Sequence, residues 1–185
     1  MTLYRLLTPE DAPDAARPML EGARKALGFV PNLYAGLANA PQALLAYRSL
    51  SEHFEKTSLT PIERQVVMLE VSAENGCEFC VAAHSLIAKK MAGVPEHIVT
   101  AIRNRGEPDD PKLAALAAFT LAAVRERGWV ADSPALARFI AAGYTPEQAL
   151  EVMLGVVQKI FSNYANHLLK TPLNSQLESE RWQRA

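Results

Sequence analysis

The chain has two cysteines, Cys77 and Cys80, which form a C-x-x-C pair, and His84 follows one helical turn later. An i,i+3 spacing on a helix brings two Cα atoms to roughly 5 to 6 Å, within the range that a disulfide requires. At about 100° per residue, the three side chains fall within an arc of about 60° around one helix. The pattern predicts a reversible dithiol centre with its own base.

The two thiols are predicted to lie in the first turn of a helix, because Gly76 ends the preceding one. The free N–H groups and the dipole of that turn favour a thiolate over a thiol. Helix geometry makes Cys80 the closer partner of His84, so we assign Cys80 as the attacking thiol and His84 as its base. Cys77, nearer the tip of the helix, is then the resolving or exchanging partner.

Other uses of a C-x-x-C pair fit this sequence less well. A zinc site made of Cys77, Cys80 and His84 would need a fourth ligand. The remaining histidines are scattered along the chain: His53, His97 and His167. Haem attachment requires a histidine directly after the second cysteine, where Val81 stands, and a thioredoxin-like unit requires a βαβ pattern that is missing. Two buried cysteines without a chemical role remain an alternative. For either interpretation, we expect no bound metal and no organic cofactor.

The composition is that of an ordinary globular protein of 185 residues, with 49% hydrophobic residues, 21% charged residues and a net charge of -1. This length fits a single domain over residues 1–185. Without a block of like charges, neither nucleic acid nor an acidic membrane is an expected partner. No apolar run approaches the ~20 residues of a membrane span, and no signal peptide is recognisable. We therefore expect a cytoplasmic protein, in which a C-x-x-C pair is catalytic or metal-binding rather than structural.

Helical signals fill the chain and strand signals are nearly absent. Pro, Asp, Ser or Thr opens most of the helical stretches, and Gly or Asn closes them. The sequence predicts an all-α, single-domain helical bundle with the C-x-x-C at a helix N-terminus and a frayed polar tail over about 178–185. The predicted helices cover about 12–27, 33–38, 41–56, 61–75, 77–92, 95–105, 111–127, 133–142 and 146–170.

The segment from Leu59 to His84, with Asn75-Gly76-Cys77-Glu78-Phe79-Cys80 near its end, resembles the alkyl hydroperoxidase D core of the carboxymuconolactone decarboxylase superfamily. The specific match covers about 59–100, and the stretches 28–32 and 163–167 resemble flanking features of its peroxidase-related members. The resemblance implies an all-helical fold and a homo-oligomer, a trimer or hexamer, with a dimer as a further possibility. It also implies thiol-based peroxide reduction by the two cysteines and the histidine. A dithiol protein, in such families one that bears a lipoyl group, would be the electron donor.

One position departs from the family pattern. The family has a glutamate twelve residues before the first cysteine, where it completes a proton relay through the histidine, and this chain has Gln65 there. An amide can orient the imidazole of His84 but cannot carry a proton near neutral pH. If the relay needs a carboxylate, the natural protein should be a slow peroxidase and Gln65→Glu should accelerate it.

Three more polar residues are candidates for the same pocket. Glu70 falls among apolar residues of its helix, and a role in the site, a partner arginine or exposure to solvent would explain it. Asn163 and His167 are i,i+4 neighbours on a long apolar helix. They would line the pocket that faces the thiols or, alternatively, satisfy buried helix ends or an oligomer interface.

The sequence thus favours a thiol-dependent peroxidase whose partners are a hydroperoxide substrate and a dithiol electron donor protein. A non-enzymatic redox switch or chaperone with the same dithiol is an alternative of another class. Lactone decarboxylation, for which the superfamily is named, is a further alternative, although that chemistry does not call for a C-x-x-C pair.

Overall fold

The computed structural model describes residues 3–184, and this part of the chain contains α-helices, one π-helical turn and one 3₁₀ turn but no strand. The all-α fold predicted from the sequence is therefore confirmed. The helices are α1 (Arg17–Leu27), α2 (Asn32–Leu37), α3 (Pro41–Glu55), α4 (Pro61–Glu74), α5 (Glu78–Ile87), α6 (Glu96–Arg103), α7 (Pro111–Arg125), α8 (Pro134–Ala141) and α9 (Pro146–Leu169).

Strong start signals fix the two helices that carry most of the site. Thr60 and Glu63 form a capping box at the start of α4, in which each side chain binds the backbone N–H of the other residue. Thr145 and Gln148 do the same at the start of α9. A proline follows each threonine in the first helical turn, where its missing N–H costs no hydrogen bond. The starts of both helices therefore follow directly from local sequence.

Helix α4 lies at the centre of the molecule and packs against α5, α6, α7 and α9. Its apolar side chains, such as Val66 and Leu69, are fully buried in the larger core cluster. A second cluster joins the two cysteines to the N-terminal helices through Leu44 and Tyr47. Helices α3 and α9 approach closely at Gly155, where there is no room for a side chain. A Cβ atom at this position would lie 2.6 Å from the ring of Phe54. The dithiol therefore sits where α4, α5 and α9 meet the N-terminal helices.

Two parts of the chain differ from the sequence prediction. The first helix begins at Arg17 rather than near residue 12, with Pro18 in its first turn, where proline is tolerated. The polar tail is docked rather than frayed. Its 3₁₀ turn, Ser175–Glu180, ends in a buried carboxylate that pairs with Lys89 and Arg103. The indole N–H of Trp182 then donates to the Arg103 carbonyl over 3.0 Å, so the tail is tied down by groups far away in sequence.

No helix between residues 3 and 184 is both long enough and apolar enough to cross a membrane.

Candidate active site

The turn between α4 and α5 positions the two cysteines. Gly76 has φ +66, a left-handed conformation that glycine adopts without strain, and it turns the chain sharply after α4. The N–H of Cys77 then donates to the carbonyl of Ser72 over 2.9 Å. Cys77 is the N-cap of α5 and Cys80 lies in its first turn. Both thiols are free and buried, so the site is a reduced dithiol at a helix N-terminus.

Two asparagines of α9 cover the sulfur atoms. Asn166 Nδ2 lies 3.1 Å from Cys80 Sγ and 3.8 Å from Cys77 Sγ. Asn163 lies beside Cys80, and its Oδ1 accepts a hydrogen bond from Asn75 Nδ2 over 2.9 Å. Among the described residues, Asn163 Nδ2 and Asn166 Oδ1 are buried without a hydrogen-bond partner. The site therefore holds one unused donor and one unused acceptor close to the sulfurs.

A buried lysine, Lys159 of α9, is the main feature that sequence reasoning missed. Its side chain is 1% exposed, and its Nζ lies 2.6 Å from His84 Nε2. Within residues 3–184, no aspartate or glutamate lies within ion-pair distance of this ammonium group. Its charge instead acts on Cys80. A signal was present, because the polar pair Gln158-Lys159 interrupts an otherwise apolar stretch of α9.

The ring of His84 is held between two side chains. Its Nδ1 lies 2.9 Å from Gln65 Oε1, which can only accept, so Nδ1 carries the proton and donates it. Nε2 therefore accepts a hydrogen bond from the Lys159 ammonium group. Burial, together with the charge of Lys159, holds the pKa of His84 well below its usual value, so the ring is neutral.

The contacts of His84 differ from those expected from helix geometry. Both ring nitrogens have partners other than sulfur, so the structure shows no hydrogen bond between His84 and Cys80. The predicted contact between Gln65 and His84 is present, but the second neighbour of the ring is a lysine rather than a thiol.

The surroundings shift the pKa values of the two thiols in opposite directions. The pKa of Cys77 is raised because its S–H donates to Cys80 and because it is buried. For Cys80, burial is the largest single influence and opposes ionisation. The hydrogen bond from Cys77, the charge of Lys159 and the hydrogen bond from Asn166 act against burial, and the pKa of Cys80 is lowered to about 6. These directions agree with Cys80 as the attacking thiol and Cys77 as its resolving partner.

The remaining candidates occupy different places. The charges that act on Glu70 are those of Arg105, Glu74 and Arg125, so Glu70 belongs to an ionic cluster apart from the dithiol. His167 is exposed and lines an outer cavity of about 220 Å³ that reaches Cys77. Of the three pocket candidates, Asn163 lies against Cys80, His167 lies at the outer side of Cys77, and Glu70 lies elsewhere.

Between residues 3 and 184, no group of three or more His, Cys, Asp and Glu side chains has the arrangement of a metal site.

Comparison with known proteins agrees with this architecture. Residues 38–123 match the carboxymuconolactone decarboxylase family. The fold is similar to that of an alkylhydroperoxidase AhpD core protein, described as an uncharacterized peroxidase-related protein, from Ralstonia eutropha JMP134. That similarity has a TM-score of 0.83 and 22% identity, and it covers 95% of this chain and 94% of the other. An uncharacterized peroxidase-related protein from Silicibacter sp. TM1040 aligns with a TM-score of 0.78 and 18% identity over 95% and 93% of the two chains.

The fold is also similar to that of the debrominase Bmp8 in complex with 2,3,4-tribromopyrrole, with a TM-score of 0.78, 20% identity and 97% of each chain covered. No curated protein sequence gives a significant match.

Proposed function

Since residues 38–123 match the carboxymuconolactone decarboxylase family and the chain has the alkyl hydroperoxidase D-like fold, we propose that it is a thiol-dependent peroxidase. The observation that carries the proposal is the opposite polarisation of two adjacent thiols. The surroundings lower the pKa of Cys80 to about 6, which favours its thiolate at neutral pH, and the hydrogen bond to Cys80 together with burial raises the pKa of Cys77 and favours its thiol. Peroxide reduction needs a thiolate nucleophile, and a neighbouring thiol can then resolve the oxidised product.

In the oxidative half of the cycle, the Cys80 thiolate attacks a peroxide oxygen and the O–O bond breaks. Cys80 becomes a sulfenic acid, and the leaving alkoxide takes up a proton to form an alcohol. The Cys77 sulfur then attacks the Cys80 sulfur, and the sulfenic oxygen leaves as water with the Cys77 proton. The unused polar atoms, Asn163 Nδ2 and Asn166 Oδ1, are placed to bind oxygen atoms that pass through the site.

In the reductive half, an external dithiol attacks the disulfide at the Cys77 sulfur. We place the attack at Cys77 because this residue lines the outer cavity of about 220 Å³, although its side chain is buried in the reduced protein and the donor must open the site to reach it. The attack expels Cys80 as a thiolate, which Asn166 Nδ2, 3.1 Å from its sulfur in the reduced protein, is placed to stabilise by a hydrogen bond. A second thiol of the donor then releases Cys77. The cycle needs no organic cofactor. We propose a donor that bears a lipoyl group, because a narrow dithiol arm is easier to fit into a cavity of about 220 Å³ than a whole protein surface.

Turnover tests this function. The reduced protein is mixed with cumene hydroperoxide and either dihydrolipoamide or dithiothreitol, and the dithiol consumed is followed over many equivalents. We expect sustained consumption that requires both cysteines, so that Cys80→Ser and Cys77→Ser each abolish it. His53→Gln, at an exposed histidine, is the control and should keep full activity. A natural protein that oxidises once and then stops would instead be a redox switch, and one with no consumption at all would refute the proposal.

Reductive dehalogenation is a second candidate function, favoured by the similarity to the debrominase over nearly the whole chain. The same dithiol would carry it. The Cys80 thiolate would attack the bromine of a bromoarene, the arene carbon would take up a proton, and Cys77 would expel bromide as the disulfide forms. Substitution of 2,3,4-tribromopyrrole for the hydroperoxide in the turnover assay separates the two functions, because only a debrominase would release bromide with the dithiol consumed.

We also propose that the protein forms a homo-oligomer through α9. Four large apolar side chains on this helix, each more than half exposed, follow one another at intervals of seven, seven and four residues: Leu150, Val157, Tyr164 and Leu168. Such a stripe is a helix-packing surface, and a second copy of the same chain would cover it.

A further inference from the structure

Lys159 is a buried cation that lacks the usual counter-ion. An ammonium group removed from water is costly unless an anion or several hydrogen bonds compensate for it. Lys159 is 1% exposed, and its one described hydrogen bond joins it to His84. Because His84 is neutral, that hydrogen bond supplies no negative charge.

The groups that face Lys159 come from four helices. His84 and the dithiol belong to α5. Gln65 of α4 is uncharged and contacts the side of the His84 ring that faces away from Lys159. From α2, the charge of Lys159 acts on Tyr34, whose pKa is raised by burial, so this phenol is neutral. From α3, Tyr47 faces Cys80, and burial raises the pKa of Tyr47 to about 12.

The other cation of this region, Arg48 of α3, donates to the Tyr34 hydroxyl over 2.9 Å and lies 3.5 Å from Glu52. Among the described residues, the Cys80 thiolate is therefore the single anion available to Lys159.

We propose that Lys159 stores the proton of the dithiol cycle, being charged while Cys80 is a thiolate and neutral once Cys77 and Cys80 have formed a disulfide. This inference rests on the proposed peroxidase function and deepens it. Oxidation removes the anion that compensates the buried ammonium group, and a buried lysine without an anion favours its neutral form. The proton that Lys159 loses is the one that the leaving alkoxide needs. A lysine would then do in this chain what Gln65 cannot.

The proton balance of the cycle follows from this assignment. In the peroxide step, the Cys80 thiolate takes one oxygen as a sulfenic acid, and the proton of Lys159 converts the alkoxide to an alcohol. In the disulfide step, the Cys77 proton leaves in water. The dithiol donor later restores Cys77 and Cys80 as two thiols, and the Cys80 thiol returns its proton to Lys159. Oxidation of the reduced protein by one hydroperoxide therefore exchanges no net proton with the solvent.

The count differs if Lys159 keeps its charge in the oxidised protein. The alkoxide proton must then come from the solvent, so oxidation of the reduced protein by one peroxide takes up one proton, which re-reduction by the dithiol donor later releases. A single-turnover experiment in weak buffer at pH 7, with a pH indicator, measures this count. The reduced protein receives one equivalent of cumene hydroperoxide, and the disulfide, the alcohol and the loss of thiolate absorbance are measured in the same sample.

We expect one disulfide, one alcohol, loss of one thiolate and no net proton uptake per chain. Uptake of one proton with the disulfide formed would overturn the role of Lys159 and leave the peroxidase function intact. A reduced protein without thiolate absorbance would also overturn it. Failure to form the disulfide or the alcohol would overturn the peroxidase function itself.

Two substitutions make the test sharper. Lys159→Arg keeps the charge, but a guanidinium group does not lose its proton in proteins. This variant should keep the thiolate and take up one proton when one equivalent of peroxide oxidises it. Lys159→Met removes the charge at similar length and should lose most of the thiolate absorbance at pH 7. Unchanged thiolate absorbance in Lys159→Met, or no proton uptake when Lys159→Arg is oxidised, would contradict the proposal. If a variant fails to fold, the number of protons taken up by the natural protein still tests it.

Discussion

The hydrogen bond from Cys77 to Cys80 is the largest of the influences that lower the pKa of Cys80. Two substitutions at one position separate this bond from the rest of the site. Cys77→Ala removes the donor, whereas Cys77→Ser replaces the S–H with an O–H of similar direction. The pair therefore compares the presence and absence of one donor in otherwise matched proteins.

The expected size of the effect follows from the energy of such a bond. A hydrogen bond to a charged group contributes about 1.5–3 kcal/mol, and about 1.4 kcal/mol corresponds to a tenfold change in ionisation. Loss of the donor should raise the pKa of Cys80 by about 1 to 2 from its value of about 6. At pH 7 the thiolate fraction should fall from about nine-tenths to between about one-half and one-tenth. Cys77→Ser should titrate near the lower value.

Each variant has one thiol, so its thiolate absorbance can be followed against pH without interference, with alkylation by iodoacetamide as a second readout. The sign is fixed by the direction of the shift: the reactive thiolate is present above pH 6 and is lost as the pH falls through that value. Equal titration of Cys77→Ala and Cys77→Ser would refute the role of the hydrogen bond. Titration of both near the ordinary thiol value of about 8.5 would refute the polarised dithiol altogether.

Three further predictions concern other parts of the molecule. Gln65→Glu should slow peroxide reduction, because a carboxylate beside the His84 ring would compete with the Cys80 thiolate for the charge of Lys159; stopped-flow oxidation at pH 7 measures this. Burial raises the pKa of Glu70 to about 8, so the folded protein loses stability as the pH rises from about 4.5 to 8. Glu70→Gln removes this loss and should increase the free energy of unfolding at pH 7 by about 3 kcal/mol. Urea denaturation of both proteins at pH 5 and pH 8 should show the gain growing with pH. Val157→Glu should dissociate the oligomer, which light scattering would detect as a lower mass.

Each of these predictions has an outcome that contradicts it. Faster oxidation of Gln65→Glu would support the carboxylate relay that the family pattern suggests and would remove the need for a lysine. A gain in stability for Glu70→Gln that is the same at pH 5 and pH 8 would show that this carboxyl group titrates normally in the folded protein. Unchanged mass of Val157→Glu beside its control Val157→Ala would place any subunit interface on another surface.

Local patterns made the fold predictable from the sequence. Proline at the first turn and a threonine before it mark the starts of α4 and α9, and both starts appear where the pattern placed them. The C-x-x-C after Gly76 likewise gave the helix N-terminus at Cys77, because the glycine conformation and the turn are properties of adjacent residues. The docked tail was not predictable, since its partners Lys89 and Arg103 lie far away in sequence.

The candidate site was predictable only in part, for the same reason. The contact between Gln65 and His84 follows from the family pattern, and the structure contains it. Lys159 and Asn166 come from a helix some eighty residues further along the chain, and no local spacing links them to the thiols. The sequence therefore pointed to His84 as the group that ionises Cys80, whereas we propose that the charge of Lys159 and hydrogen bonds from Cys77 and Asn166 do so in the folded protein.

The most direct test of a polarised dithiol that reduces peroxide is the fate of the two sulfurs after one turnover. The fully reduced protein is treated with one equivalent of cumene hydroperoxide, quenched with an alkylating agent and digested for mass spectrometry. We predict an intramolecular disulfide between Cys77 and Cys80 in one chain, together with one equivalent of cumyl alcohol and no remaining free thiol. Two unmodified thiols, disulfides formed only between chains, or a sulfenic acid at Cys77 with Cys80 untouched would contradict this prediction.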